Sequence, residues 1–203
     1  MVSKNSKFML SFAFFVLFSI ILVFKCVKND KIARSEFGIL LENNNFKTMI
    51  EIGVKRAIFT DAILSKWPSF QMYYGVDPWK HQASYIDSSN VNDNEHENYL
   101  QQTKTRLKKY GNKIKLIRNY STNAVNNFKN ESIDFIYLDG RHDYCGVLED
   151  LKNYYPILKC NGIMSGDDYI TARESLNINN GDDWSICENG EKILINGGSV
   201  KGI

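Results

Sequence analysis

Short apolar runs alternate with stretches of helical period along most of this 203-residue chain. The clearest unit opens with an apolar run, Ile133 to Leu138, broken only by Asp134. It continues as an amphipathic segment with Val147, Leu148, Leu151, Tyr154 and Tyr155 at helical spacing, and closes at Pro156 and the Asn161-Gly162 turn. A second apolar run, Gly162 to Ser165, then stops at Gly166-Asp167-Asp168. Strand, helix, strand in that order predicts two parallel neighbours. Upstream, Lys31 to Asn44 reads as a short amphipathic helix, and Thr48 to Val54 as a buried strand. A helix from Ala57 to Trp67 stops at Pro68, and Gln71 to Val76 is a second strand ending at Asp77-Pro78. His81 to Asn94 is a polar loop or lid, Glu95 to Tyr110 a charged helix closed by Gly111, and Ile114 to Arg118 a third strand. Ser121 to Phe128 is a helix with Ser121 or Thr122 as N-cap. Five strands alternating with helices predict an α/β fold with a doubly wound, mostly parallel sheet. Beyond Tyr169 the pattern fades: Asn177 to Asp183 is turn-rich, Lys192 to Ile195 could form one strand, and Gly197 to Ile203 is glycine-rich.

Phe8 to Phe24 is one apolar run interrupted only by Ser11 and Ser19. As a helix of about 17 residues it spans ~25 Å, the short end of the membrane-crossing range. No small-x-small cleavage site follows it, so an uncleaved transmembrane signal anchor is preferred to a signal peptide. The implied organisation is a tail at 1–7, the anchor at 8–24, a linker and leading helix at 25–46, and one domain at 47–203. Lys25, Lys28, Lys31 and Arg34 after the run outnumber Lys4 and Lys7 before it, which leans towards a cytosolic catalytic side. Net charge is +2, with no argument for a nucleic-acid partner; Lys104 to Lys109 reads as a solvated helix face. The four cysteines lack CxxC or zinc-like spacing. Cys145 and Cys160 flank the central helix ~22 Å apart, so free thiols and a reducing compartment are the expectation.

Ligands of open α/β sheets bind outside the carboxyl ends of the strands. Glu51-Ile52-Gly53 ends the first strand, but Lys55 and Ala57 stand where a dinucleotide motif has glycines, so a pyrophosphate cradle is poorly supported. Glu51 suits a positively charged ligand, and Asp77 at the next strand tip is placed to accept both hydroxyls of a ribose. An ordinary strand-to-helix turn and an Asp-Pro turn are the alternatives. Asp139, Asp167 and Asp168 would repel one another unless a hard cation such as Mg²⁺ sat between them; capping of helices or turns is the plainer reading. His142, three residues past Asp139, could take a proton from a hydroxyl or be a surface residue. His81 and His96 have no comparable context.

The segments EIGVKRAIFT, YYGVDPW, IDFIYLDGRHDYCGVLEDL and LKCNGIMSGDDY resemble the class I S-adenosylmethionine-dependent methyltransferases, and most closely the methyltransferase family 24 branch. The resemblance covers about Lys47 to Ile203. It implies a Rossmann-like fold in which Glu51 and Gly53 sit in the cofactor motif, Asp77 holds the ribose, Ser121 lies near the adenine and Asp139 borders the cofactor. By the same likeness Asp139, Asp167 and Asp168 would hold Mg²⁺ and His142 would be the general base. Asp167 stands where the family pattern frequently has His, and relatives continue past Val200-Lys201-Gly202, so C-terminal strands are expected to be missing. The implied activity is metal-assisted O-methylation of a small hydroxylated acceptor. The alternatives are a catalytically inactive methyltransferase-like binding module and a dinucleotide-dependent oxidoreductase.

Overall fold

The computed structural model describes residues 33–168 apart from Ile86, together with 184–187 and 189–191. The anchor expected at Phe8 to Phe24, the linker up to 32, the strand expected at Lys192 to Ile195 and the glycine-rich end all lie outside the described residues. Among the described residues no helix is long and apolar enough to cross a membrane.

The five strands are β1 (Thr48–Ile52), β2 (Met72–Asp77), β3 (Ile114–Arg118), β4 (Ile133–Leu138) and β5 (Leu158–Gly166). They form one parallel sheet in the order β3-β2-β1-β4-β5. The reversal of winding beside β1 places the tips of β1 and β4 next to each other at the point where such folds bind ligands. Side chains alternate across the sheet. Met49, Tyr73, Phe135 and Tyr137 pack on one face with Leu41, Ile63 and Trp67; Ile50, Ile52, Val76, Ile136 and Leu138 pack on the other with Ala124, Tyr154 and Ile157. Asp134, the polar interruption in β4, staples the strand starts. Its carboxylate accepts from the Lys47 and Thr48 amides, the Thr48 hydroxyl and Lys159 Nζ.

The helices are α1 (Phe37–Asn43), α2 (Ile58–Leu64), α3 (Asp93–Leu107), α4 (Ser121–Ala124) and α5 (Tyr144–Tyr154), with a 3-10 turn at Arg34–Glu36 preceding α1. Asn92 caps α3 by accepting from the Glu95 amide, and Asp143 caps α5 by accepting from the Gly146 amide. Three expectations need correction. The helix from Ser121 is one α turn followed by a 3-10 turn at Val125–Asn127. Its cap position is Tyr120, which makes no side-chain cap bond, and Ser121 is the first helical residue, its side chain facing Asp150. The Asn161-Gly162 pair does not precede β5 but lies inside it, with Asn161 at φ 66° where the pairing with β4 shifts register. Cys145 is not free: it is bonded to Cys187, with Cα atoms 5.4 Å apart, while Cys160 is an exposed thiol. The helix does keep Cys145 from Cys160, but residue 187 returns to the start of α5 through a segment with no readable period.

Candidate active site

One cavity of about 560 Å³ opens over the strand tips, within the size range of small-molecule sites. Its lining reaches from Tyr120 and Ser121 after β3, past Asp77, Glu51 and Gly53, to Asp139 and Gly140 after β4 and Asp168 after β5.

The centre is the turn after β1. Gly53 has φ 84°, and a Cβ there would lie 1.8 Å from the Asp139 carbonyl oxygen, so only glycine lets the tips of β1 and β4 meet. Lys55 and Ala57, which replace the glycines of a dinucleotide motif, nevertheless stand at φ 51° and 54°. Both residues thus hold a left-handed backbone that glycine would adopt without strain. Asp77 holds this turn in place. Its Oδ2 accepts from the Val54 amide at 3.0 Å and the Lys55 amide at 2.9 Å, and its Oδ1 from the Trp79 amide at 2.7 Å. Burial outweighs these three bonds and raises its pKa. Glu51 is buried on the α2 side, where Thr60 and Tyr73 hydroxyls both donate to Oε2 at 2.7 Å. Burial pushes its carboxyl up to about 7.

At the β4–β5 end, ligand atoms of Asp139, His142 and Asp168 lie within 4.8 Å of one another. Asp167 is not part of that group: its carboxylate is paired with the Arg34 guanidinium, which also reaches Asp139 at 3.4 Å and stacks over Phe59 at 4.7 Å. Burial, reinforced by the Asp167 and Glu51 charges, pushes the Asp139 carboxyl up to about 8. The Asp139 and Asp168 carboxylates, beside acidic groups already balanced by a guanidinium, are oxygen donors that fit a hard divalent cation such as Mg²⁺ or Mn²⁺, with the His142 imidazole next to them as a proton acceptor.

Two segments hold His142. Its backbone amide donates to the Tyr85 hydroxyl at 3.2 Å, and Tyr85 belongs to the polar stretch read as a loop or lid. That loop is tied across the cavity by Lys55 Nζ donating to Ser89 Oγ at 2.9 Å. On the other side Trp184 packs against the imidazole, ring centroids 5.0 Å apart, while the Trp184 carbonyl accepts from the Tyr144 amide beside the Cys145–Cys187 bond.

All eight residues singled out from the sequence lie at the carboxyl edge of the sheet, and all but Asp167 line the cavity. Sequence reasoning missed Arg34, Tyr85, His96 and Asp150, which line it too. Arg34 and Tyr85 come from a leading turn and a polar loop that carry no motif. His96, set aside as lacking context, is brought near Asp77 by α3, and its Nε2 is buried without a partner. Asp150 had a signal, as the acid of the VLEDL motif, but its direction did not follow from helical spacing.

Residues 50–169, more than half of the chain, match the methyltransferase domain family. No curated protein matches the sequence. Among solved structures, an SAH-bound methyltransferase of Podospora anserina is similar at TM-score 0.50 and 16% identity, over 66% of this chain and 51% of that one. A candidate caffeoyl-CoA O-methyltransferase from Staphylococcus aureus gives 0.51 and 18%, over 82% and 74%. A candidate O-methyltransferase from Klebsiella pneumoniae gives 0.52 and 14%, over 77% and 64%. The chain thus spans about half the length of the first. At these identities the likeness is one of fold.

Proposed function

The chain belongs to the methyltransferase domain family, of the class I S-adenosylmethionine-dependent type, and we propose that it methylates an oxygen of a small hydroxylated acceptor with the help of a divalent cation. The observation that carries this reading is the meeting of Asp139, His142 and Asp168 at one end of a cavity whose centre is the Gly53 turn.

S-adenosylmethionine supplies a methyl group already activated on a sulfonium. In this reading Glu51 faces the cofactor's positive charge, Asp77 holds the Gly53–Lys55 turn and offers its remaining lone pairs to the ribose, and Ser121 borders the adenine. Asp139 and Asp168 would hold the cation, and Asp167 would join them if Arg34 were displaced. The cation, when bound, supplies positive charge that lowers the pKa of an acceptor hydroxyl. His142 takes that proton at Nε2 as the oxygen forms its bond to the methyl carbon and the carbon–sulfur bond breaks. Tyr85 and Trp184 keep the imidazole in place, so that alignment supplies much of the rate.

One observation favours a second reading, a binding module without turnover: Arg34 occupies the acidic end. Labelled methyl transfer from S-adenosylmethionine into a metabolite extract, with and without Mn²⁺ or Mg²⁺, separates the two. Transfer stimulated by the cation supports the enzyme. Cofactor binding with no transfer under any cation overturns it. A membrane anchor at 8–24 is part of the proposal and rests on the apolar run alone; the flanking lysines favour a cytosolic domain, whereas the Cys145–Cys187 bond favours an oxidising compartment.

A further inference from the structure

Asp150, on the second turn of α5, is 5% exposed. Its carboxylate is hydrogen-bonded to the Ser121 hydroxyl, yet its Oδ1 is buried without any partner. A buried carboxylate oxygen left unsatisfied is costly, and such groups in native proteins have a reason. The side chain is not tucked into the core: Asp150 lines the same cavity as Ser121 and Gly140. Gly140 stands beside it, since a Cβ there would come 3.6 Å from Asp150 Oδ2.

The position along the cavity narrows what the oxygen meets. Strand tips are spaced about 4.8 Å apart, so the β3 and β5 ends of the sheet are roughly 19 Å apart. The cation-fitting cluster lies at the β4–β5 end and the Gly53 turn and Asp77 at the centre. Tyr120 and Ser121, the partner of Asp150, follow β3. A nucleoside with its ribose at Asp77 and its reacting end towards Asp139 must place its base at that far end.

We propose that Asp150 reads the base of the cofactor, its free Oδ1 accepting an N–H from the exocyclic amine of the adenine, with Ser121 holding the carboxylate in that orientation. This rests on the S-adenosylmethionine reading above. Burial pushes the Asp150 carboxyl up to about 6, so it is ionised, with both oxygens acceptors, from neutral pH upward. A purine carrying a carbonyl in place of the amine sets oxygen against oxygen and is rejected. A charge-assisted hydrogen bond predicts discrimination of roughly 10- to 100-fold.

The test is calorimetric titration of the full chain with S-adenosylhomocysteine and with S-inosylhomocysteine, which differ in the C6 substituent of the base and in the proton that the inosine base carries at the adjoining N1. Wild type is expected to prefer the adenine compound by the factor above. Asp150→Ala should weaken the adenine compound and bring the two together, and Asp150→Asn, whose amide can donate to a carbonyl, should favour the inosine compound. Equal binding of both compounds by wild type overturns the proposal, and so does unchanged discrimination in a folded Asp150→Ala. Binding of neither compound by folded wild type instead removes the cofactor reading on which the proposal stands.

Discussion

Asp77 and Lys55 are joined by a 2.9 Å hydrogen bond from the Lys55 amide to a carboxylate that also takes the amides of Val54 and Trp79. The acid at the tip of β2 is therefore a clamp on the turn after β1 before it is anything to a ligand. Asp77→Ala should lower stability by about 2–4 kcal/mol, because three amides lose a charged acceptor. It should also weaken S-adenosylhomocysteine binding more than tenfold. Denaturant unfolding and calorimetry read the two effects; loss of affinity without loss of stability would mean that Asp77 contacts the ligand and does not hold the turn.

The same turn permits one side chain and no other at its first position. Gly53→Ala should abolish cofactor binding and cost roughly 3 kcal/mol or more, since the added methyl meets the Asp139 backbone. At Ala57, with φ 54°, relief of left-handed strain and loss of a buried methyl oppose each other. Ala57→Gly should stay within about 1 kcal/mol of wild type, while β-branched Ala57→Val should cost more than about 2. Thermal melts of the three variants decide this.

The pH dependence follows from two buried acids. Glu51 is raised from an ordinary 4.5 to about 7 and Asp139 from 3.8 to about 8. Both hold their protons more tightly folded than unfolded. Their contribution to stability is therefore complete below about 4 and is lost as pH rises through 7 to 8. Without added cation, the melting temperature should fall between pH 5.5 and 8, and Glu51→Gln should flatten that fall. An unchanged slope in the variant would exclude Glu51 as its source.

Arg34 pairs with the Asp139 and Asp167 carboxylates, so a divalent cation bound as proposed would compete with it. Arg34→Gln should tighten Mn²⁺ binding roughly 2- to 10-fold, a modest gain because the guanidinium is half exposed. Titration with Mn²⁺ in the absence of acceptor measures it; weaker binding in the variant would show that Arg34 shapes the site.

The Cys145–Cys187 bond closes a 42-residue separation and holds Trp184 on His142. Its loss in Cys187→Ser should cost about 2–4 kcal/mol and should lower turnover more than cofactor affinity, because His142 is placed at the acceptor end. Unfolding midpoints and a comparison of kcat with KM read these separately.

Strand positions and their order along the chain were legible because parallel strands buried on both faces read as near-continuous apolar runs. Acids and a glycine at the carboxyl ends of such runs must come to one rim, so Glu51, Gly53, Asp77, Asp139 and Asp168 could be singled out from the sequence, and VLEDL already contained Asp150. Partners could not, because a hydrogen bond depends on direction as well as on proximity along the chain. That Asp77 turns to three backbone amides, that Arg34 takes Asp167 from the acidic group, and that Cys187 comes back to Cys145 all depend on segments far apart in sequence. The left-handed turn at Lys55 and Ala57 is the sharpest case. No residue type there announces it, and only the meeting of β1, β2 and β4 imposes it. Periodicity along one chain determines which residues reach the rim; packing between elements decides what each of them holds.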